Sequence, residues 1–553
     1  MGTFGRGGVR GSARGRGAGA ALLLSVALSG PALPAMAQTV SLPSQPADGM
    51  VAPFMQAMAV ALQGDEVLAE YYAAREYRPL WTGPQDAERR AALFSALDGA
   101  AAHGLPVARY DAGALRAAFA AAQTEGDRGR LEVRMARAFL DYASDVATGV
   151  LDPEKADAGI HREVTRLNPL VLLARAENGN LAQVLRSLPP KTPEYARLMK
   201  EKLSLEAKIA AGGWGAPVAA AAVMPGDQGP AVVALRDRLV AMGYLTRSAT
   251  AVYDRTLQAA VQRFQMDHGL EADGRATEAT LAEINVAPEA RVQSIVVAME
   301  RLRWMHDVER GARHIWVNQP DFSAKIVDHG KVTFQTRAVI GKNVPDQRSP
   351  EFSDVMDHMV INPSWGVPRS IIVKEYLPLL QRNPNAVSHL QVIDRNGRVV
   401  PRGAVNFAAY SARSFPFGLR QPPSDGNALG KVKFMFPNPY NIYLHDTPAK
   451  ELFDHEVRAY SHGCIRLADP FDFAYALLAM QSDDPKGLFQ SHLDSDRETV
   501  VKLEEKLPVH LVYFTAWPTA KGEMTYRRDV YGRDARIFEA LTEAGVALDG
   551  VQG

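Results

Sequence analysis

Cysteine is almost missing from this chain: one occurs in 553 residues, Cys464. A single thiol cannot form a disulfide within the chain, so the fold must rest on its apolar cores. Charge imbalance is missing too, with 62 Lys and Arg against 62 Asp and Glu. With no long basic run either, nothing calls for nucleic acid or an anionic membrane surface as a partner. Beyond the N-terminal segment no uninterrupted apolar stretch approaches the ~18 residues that read as a membrane span. What remains is ample for packing: 47% of the residues are apolar, and the length suggests about three domains.

The N-terminus gives an address. Arg6, Arg10, Arg14 and Arg16 precede a mostly apolar run from Ala18 to Leu28, and Ala35-Met36-Ala37 is a small-residue cleavage site before Gln38. This is the pattern of a secretory signal over residues 1–37, and the mature chain is expected to begin at Gln38, exported and without a transmembrane anchor. Exported proteins mostly use cysteine in pairs. An unpaired thiol there asks for a chemical role.

The surroundings of the thiol supply one. Cys464 sits in Ser461-His462-Gly463-Cys464-Ile465-Arg466, and Tyr443-Leu444-His445-Asp446-Thr447 lies upstream, far enough away to occupy a neighbouring strand. An imidazole beside a thiol lowers its pKa and shuttles its proton, which suits attack on an amide carbonyl. Cys464 is therefore the candidate nucleophile and His445 the candidate base and acid. Gly463 lets the backbone approach closely, so the amides of Gly463 and Cys464 are candidates to face an oxyanion. Arg466 is suited to hold a substrate carboxylate, or to form a structural ion pair beside the site. His462, only two positions from Cys464, is read as a structural or substrate-contacting residue. His445, Asp446, Asp454, His455, His462 and Cys464 are residue types that bind zinc, but no pair has the helical spacing of zinc-peptidase motifs. No metal and no cofactor are expected.

The rest of the chain divides by pattern. Residues 38–215 are alanine-rich, with Leu131, Met135, Phe139, Tyr142 and Val146 at helical spacing and prolines cutting the region into short helices. This is read as a helical scaffold domain. Small residues over 216–224 read as a linker. In 225–286, Val232, Leu235, Leu239 and Met242 share one helix face that stops at Gly243. Asp254 caps a second helix carrying Leu257, Val261 and Phe264, and Thr277 a third burying Leu281 and Ile284. From 290 to 535 the pattern turns to strands, at His314–Asn318, Val332–Val339 and His358–Ile361. A segment of about 366–427, with a helix expected over Ile371–Gln381, is too long for a simple loop and is read as a flap over the site. Residues 536–553 are read as a C-terminal tail.

Two resemblances follow. The string Gly229, Leu235, Leu239, Gly243-Tyr244, Tyr253-Asp254, Phe264-Gln265, Gly269-Leu270 and Asp273-Gly274 resembles the peptidoglycan-binding domain of cell-wall enzymes. His445 with Ser461–Arg466 resembles the signature of L,D-transpeptidases, cysteine enzymes that crosslink bacterial peptidoglycan. Arg301-Leu302-Arg303-Trp304, Asn362-Pro363-Ser364-Trp365, Asn427-Ala428-Leu429-Gly430, Lys433-Phe434 and Tyr443–Pro448 are similar to the large periplasmic members. Tyr77–Trp81 and Gly212-Gly213-Trp214 extend the likeness into the scaffold.

That resemblance implies a multidomain protein: an α-helical scaffold, a small three-helix peptidoglycan-binding domain, and a β-rich (α+β) catalytic domain with a capping insertion. It implies Cys464 as the acylated nucleophile, His445 as its base and the backbone carbonyl of Asp446 orienting the imidazole. Tyr443, Ser461, His462 and Arg466 are placed among the substrate contacts. The partners implied are peptidoglycan stem peptides and glycan, with carbapenem-type inhibitors acylating Cys464, and the location is the periplasm. Asp469, where the family often has Asn, and Ser424, where Gly is frequent nearby, are departures that touch loop contacts. The alternatives are an L,D-carboxypeptidase or other cysteine hydrolase of peptidoglycan, and a non-catalytic wall-binding protein.

Overall fold

The computed structural model describes residues 52–548; the expected signal over 1–37 and the last five residues lie outside them. Between Pro53 and Ala210 the described chain forms ten α-helices. The longest, Glu125–Thr148, starts on a capping box in which Thr124 and Asp127 satisfy each other's backbone N–H. It buries the predicted stripe Leu131, Met135, Phe139, Tyr142 and Val146. On the same helix Glu132 is fully buried. A buried carboxylate is tolerable only when hydrogen-bonded, and this one accepts from the backbone N–H of Leu80, Trp81 and Thr82 and the hydroxyls of Tyr72 and Thr82. The Tyr77–Trp81 run is thus a loop wrapped around a carboxylate, a structural joint.

The three-helix module forms as its caps require. Pro230–Met242 ends at Gly243, which is left-handed at φ 91°. Asp254 accepts from the N–H of Leu257, and Thr277 from that of Thr280. The expected linker over 216–224 is not loose. Val218 and Val223 are buried in the module's core, Val223 bridges Ala276, and Asn285 Oδ1 accepts from the N–H of Val218. Two valines among alanines are enough to pin the segment, because each removes its side chain from water. The module is also docked: His268 stacks on Tyr526 at 5.5 Å, and Arg527 donates to the backbone oxygen of Asp267 at 2.8 Å.

In the third region the fifteen strands are β1 Arg313–Asn318, β2 Ser323–Asp328, β3 Lys331–Gly341, β4 Phe352–Ile361, β5 Trp365–Gly366, β6 Gln391–Ile393, β7 Val399–Val400, β8 Gly418–Gln421, β9 Val432–Met435, β10 Leu444–His445, β11 Ala459–Ser461, β12 Ile465–Leu467, β13 Thr499–Val512, β14 Ala516–Pro518 and β15 Met524–Tyr526. Nine of them form one sheet in the order β11-β3-β12-β10-β9-β4-β13-β1-β2, and a further β3–β2 pairing closes eight strands into a ring. Ile315, Val317, Met359, Phe434, Leu444, Ile465, Leu467 and Val509 fill its interior.

The insertion spans the expected stretch and has its own core, including Ile371, Leu377, Leu380, Phe407, Phe415 and Leu419. Its helix runs from Arg369 to Arg382 with a π-turn over Ile372–Tyr376. A four-stranded sheet, β5-β8-β6-β7, lies beside it. Strands of two to four residues are too short to show a period of two in sequence. The expected C-terminal tail is a correction: Arg533–Glu543 is a helix whose Ile537 and Leu541 are buried with Val292, Ile295 and Met299 of the Pro288–Trp304 helix. Two apolar residues four apart were the signal for it.

Candidate functional site

Strands β10 and β12 run parallel side by side, with Leu444 opposite Ile465 and His445 opposite Arg466. Leu444, Ile465 and Leu467 point into the core. Since side chains alternate along a strand, His445 on β10 with Tyr443 just before it, and Arg466 on β12 with Cys464 just before it, share the opposite face. All four line a cleft of about 890 Å³ roofed by the insertion. Cys464 is half-buried on its floor. Its direct cross-strand neighbour is Tyr443, whose backbone oxygen accepts from the N–H of Ile465 at 3.1 Å. His445 is therefore the diagonal neighbour. The sulfur's hydrogen bond runs to the backbone oxygen of Asn441, at 3.6 Å.

The imidazole is held from one side, its Nδ1 donating to the backbone oxygen of Asp446, which leaves Nε2 for the cleft. The side chain of Asp446 is used elsewhere. It accepts from the N–H of Lys431 at 2.8 Å and from Lys450 Nζ at 2.7 Å. A Cβ at Gly430, which is left-handed at φ 61°, would run into that carboxylate. Gly430 thus seats Asp446, and through it the strand carrying His445. Burial first, then the charge of Arg466, pushes His445 down to about 3, with Lys433 and Lys450 adding to this. Burial pushes the Cys464 thiol up to about 11, against the N–H and hydroxyl of Tyr443 and the charge of Arg466. At neutral pH the resting pair is a thiol and a neutral imidazole.

The turn before Cys464 differs from expectation in one respect. Gly463 sits at φ 116°, a conformation that favours glycine, but its N–H donates to Ser461 Oγ at 3.1 Å. It is therefore not free to face an oxyanion, and the N–H of Cys464 is the donor of the pair that has no acceptor among the described residues. Ser461 is likewise spent inside the turn, its hydroxyl donating to the backbone oxygen of Cys464 at 2.5 Å. Ser461 nonetheless lines the cleft beside Cys464. Sequence reasoning missed Ser349. Fully buried, it donates to the backbone oxygen of Gly463 at 2.6 Å and accepts from the N–H of Gly341 at 3.0 Å. No local pattern announces a serine so far away in sequence.

His462 leaves the floor altogether: its Nε2 meets Glu375 Oε1, in the π-turn of the roof, at 2.7 Å. Lys374 beside it pairs with Asp346. At the base of the roof, Asn427 Nδ2 donates to the backbone oxygen of Pro363 at 3.0 Å, joining the two ends of the insertion. The runs Asn362–Trp365 and Asn427–Gly430 thus meet at its base. Arg466 lies along the cleft, and its buried Nε has no partner among the described residues. The residues of zinc-binding type are dispersed among other partners, and no group of three potential ligands occurs among the described residues.

Three family models match in succession: "Scaffold domain" over residues 66–201, "Putative peptidoglycan binding domain" over 228–284 and "L,D-transpeptidase catalytic domain" over 312–490. A curated protein of Haemophilus influenzae named "Putative L,D-transpeptidase" is 30% identical over 247 residues, 44% of this chain and 49% of that protein. The chain thus spans about half the length of that relative. Two crystallised L,D-transpeptidases show a slighter likeness. That from Xylanimonas cellulosilytica is 14% identical, covers 54% of this chain and 100% of its own, and has a TM-score of 0.18. That from Stackebrandtia nassauensis is 16% identical, covers 54% and 97%, and has a TM-score of 0.21.

Proposed function

We propose that this chain, which carries a scaffold domain, a peptidoglycan-binding domain and an L,D-transpeptidase catalytic domain in that order, is an exported enzyme that crosslinks peptidoglycan stem peptides through a thioester on Cys464. The observation that carries the reading is the sole thiol and a neutral, oriented imidazole on one face of adjacent strands, at the floor of a roofed cleft. Among the described residues no helix is long and apolar enough to cross a membrane.

The sulfur first turns from Asn441 towards Nε2 of His445, which takes its proton as the C–S bond forms on the carbonyl of the L-centre of the donor's diamino acid. The N–H of Cys464 faces the developing oxyanion. His445 then returns the proton to the departing nitrogen, so the C–N bond breaks, D-alanine leaves and a thioester remains. In the second half a primary amine of another stem attacks that carbonyl, the C–S bond breaks, and the amine's proton passes through His445 to the sulfur. Water in place of the amine gives a carboxypeptidase. Arg466 supplies a guanidinium for a donor carboxylate, and the roof limits water in the cleft.

Intact-mass measurement after incubation with a tetrapeptide muropeptide, or with a carbapenem, should show one adduct on Cys464. Cys464→Ala should retain the fold and lose both adduct and turnover. An adduct elsewhere, or undiminished turnover in that variant, overturns the reading, and the ratio of crosslinked dimer to tripeptide decides between transfer and hydrolysis.

A further inference from the structure

A second cleft, of about 640 Å³, lies on the other side of the Ser461–Cys464 turn. It reaches Gly463 and shares Asp346, Tyr440, Ile442 and His462 with the first. Its far wall does not belong to the catalytic domain: it is the scaffold segment from Glu154 to His161.

That wall is built in by several independent ties. Ile160 bridges Glu351, and the N–H of His161 donates to the backbone oxygen of Glu351 at 2.8 Å while the N–H of Glu351 donates to Gly159 at 2.8 Å. The His161 ring lies flat on Tyr440, with centroids 4.1 Å apart and planes at 10°. Asp157 is gripped by Arg533 and Arg536 of the C-terminal helix.

The charges of this cleft are mostly spent on one another. Asp157 faces Arg533 and Arg536, Asp346 faces Lys374, and Lys155 faces Asp152 at 3.1 Å. Two have capacity left. Arg348, on the catalytic side, gives only its Nε to a partner among the described residues, Asn343 Oδ1 at 2.9 Å. Glu154, on the scaffold side, stands 3.7 Å from His161 with its side chain 59% exposed. A spare guanidinium and a spare carboxylate on facing walls suit a partner that carries charges of both signs.

We propose that this second cleft receives the acceptor in the transfer, a peptide stem bearing a primary amine and a free carboxylate, with the scaffold segment 154–161 as one of its walls. The inference rests on the transpeptidase reading and adds that the scaffold domain takes part in substrate binding. Donor and acceptor then approach the thioester from opposite sides of the Ser461–Cys464 turn. Arg348 takes the acceptor's carboxylate, and Glu154 draws in its ammonium, which loses a proton to solvent before the free amine reaches the thioester.

The test uses the full chain with Ala158→Trp, which fills the cleft from the scaffold side at an exposed residue outside all the ties named, and with Arg348→Ala and Arg348→Lys. Three quantities are read: acylation of Cys464 by a carbapenem, release of D-alanine from a tetrapeptide muropeptide, and the ratio of crosslinked dimer to hydrolysed tripeptide. With Ala158→Trp, acylation and D-alanine release should stay within about twofold of the parent while the ratio falls about tenfold or more. Arg348→Ala should lower the ratio less, and Arg348→Lys should restore part of it. An unchanged ratio in Ala158→Trp overturns the proposal, as does a parallel fall of acylation and ratio. Failure of the parent itself to be acylated would instead defeat the transpeptidase reading beneath it.

Discussion

The floor and the roof of the first cleft meet at the Ser461–Cys464 turn, and they resist displacement very differently. The floor is a nine-stranded sheet whose strands β10 and β12 are flanked by ladders on both sides and whose Leu444, Ile465 and Leu467 are fully buried. Moving His445 or Cys464 means breaking main-chain bonds inside that packing. The roof touches the turn through His462–Glu375, while Lys374–Asp346 reaches the loop beyond β3, and the paired side chains are about a third to more than half exposed. Such exposed pairs are individually weak, because solvent and salt screen them. A packed sheet thus carries the thiol and the imidazole while exposed side-chain pairs tie the roof to it, and the two can be separated by substitution.

The largest effect short of removing the thiol should come from the floor. His445→Gln is expected to slow acylation of Cys464 by about 10²–10⁴-fold, the range typical of a lost general base, measured as single-turnover adduct formation. A greater loss with His462→Gln than with His445→Gln would exchange their roles.

The pH dependence follows in size. With the thiol near 11 and His445 near 3, neither group changes charge between pH 5 and 9. Iodoacetamide alkylation proceeds through the thiolate, whose fraction grows about tenfold per pH unit below the thiol pKa. The alkylation rate should therefore climb steadily across that range. A plateau beginning near pH 7 would mean a thiolate–imidazolium pair in the resting enzyme.

Ser349→Ala tests what fastens the floor's turn. It strips Gly463 of a hydrogen-bond donor and Gly341 of an acceptor in a buried place, so unfolding stability should fall by about 1–3 kcal/mol, read by denaturant titration, with slower acylation. Unchanged stability would show that the turn holds itself.

The smallest effect belongs to the roof. Glu375→Gln keeps a hydrogen-bonding oxygen and removes the charge facing His462. We expect kcat/KM to change by less than about threefold, in keeping with an exposed pair, with the change carried by KM. A loss as large as that of His445→Gln would make the roof contact part of the chemistry and erase the contrast.

The motifs divide along the same line. Cys464, His445 and Arg466 were readable as a chemical group because thiol, imidazole and guanidinium are rare together and strand alternation places them on one face. Arg301-Leu302-Arg303-Trp304 was equally visible but does other work. Arg301 bonds Glu351 and Asp534, and Arg303 bonds Glu300 and Tyr195, all buried where scaffold, long helix and C-terminal helix meet. The run is a joint between domains, and no periodicity distinguishes a joint from a site.

The sequence by itself determined the three regions, the caps of the small module, the alternation that sets the floor, and the chemistry of its sole thiol, because these depend on residue type and on spacings within a few positions. Only the tertiary structure decided the partners of Gly463, Ser461 and His462, the burial of Val218 and Val223, the helix at 533–543 and the scaffold wall of the second cleft. Each of these depends on which distant groups packing brings within hydrogen-bonding distance, and a local pattern carries no record of that.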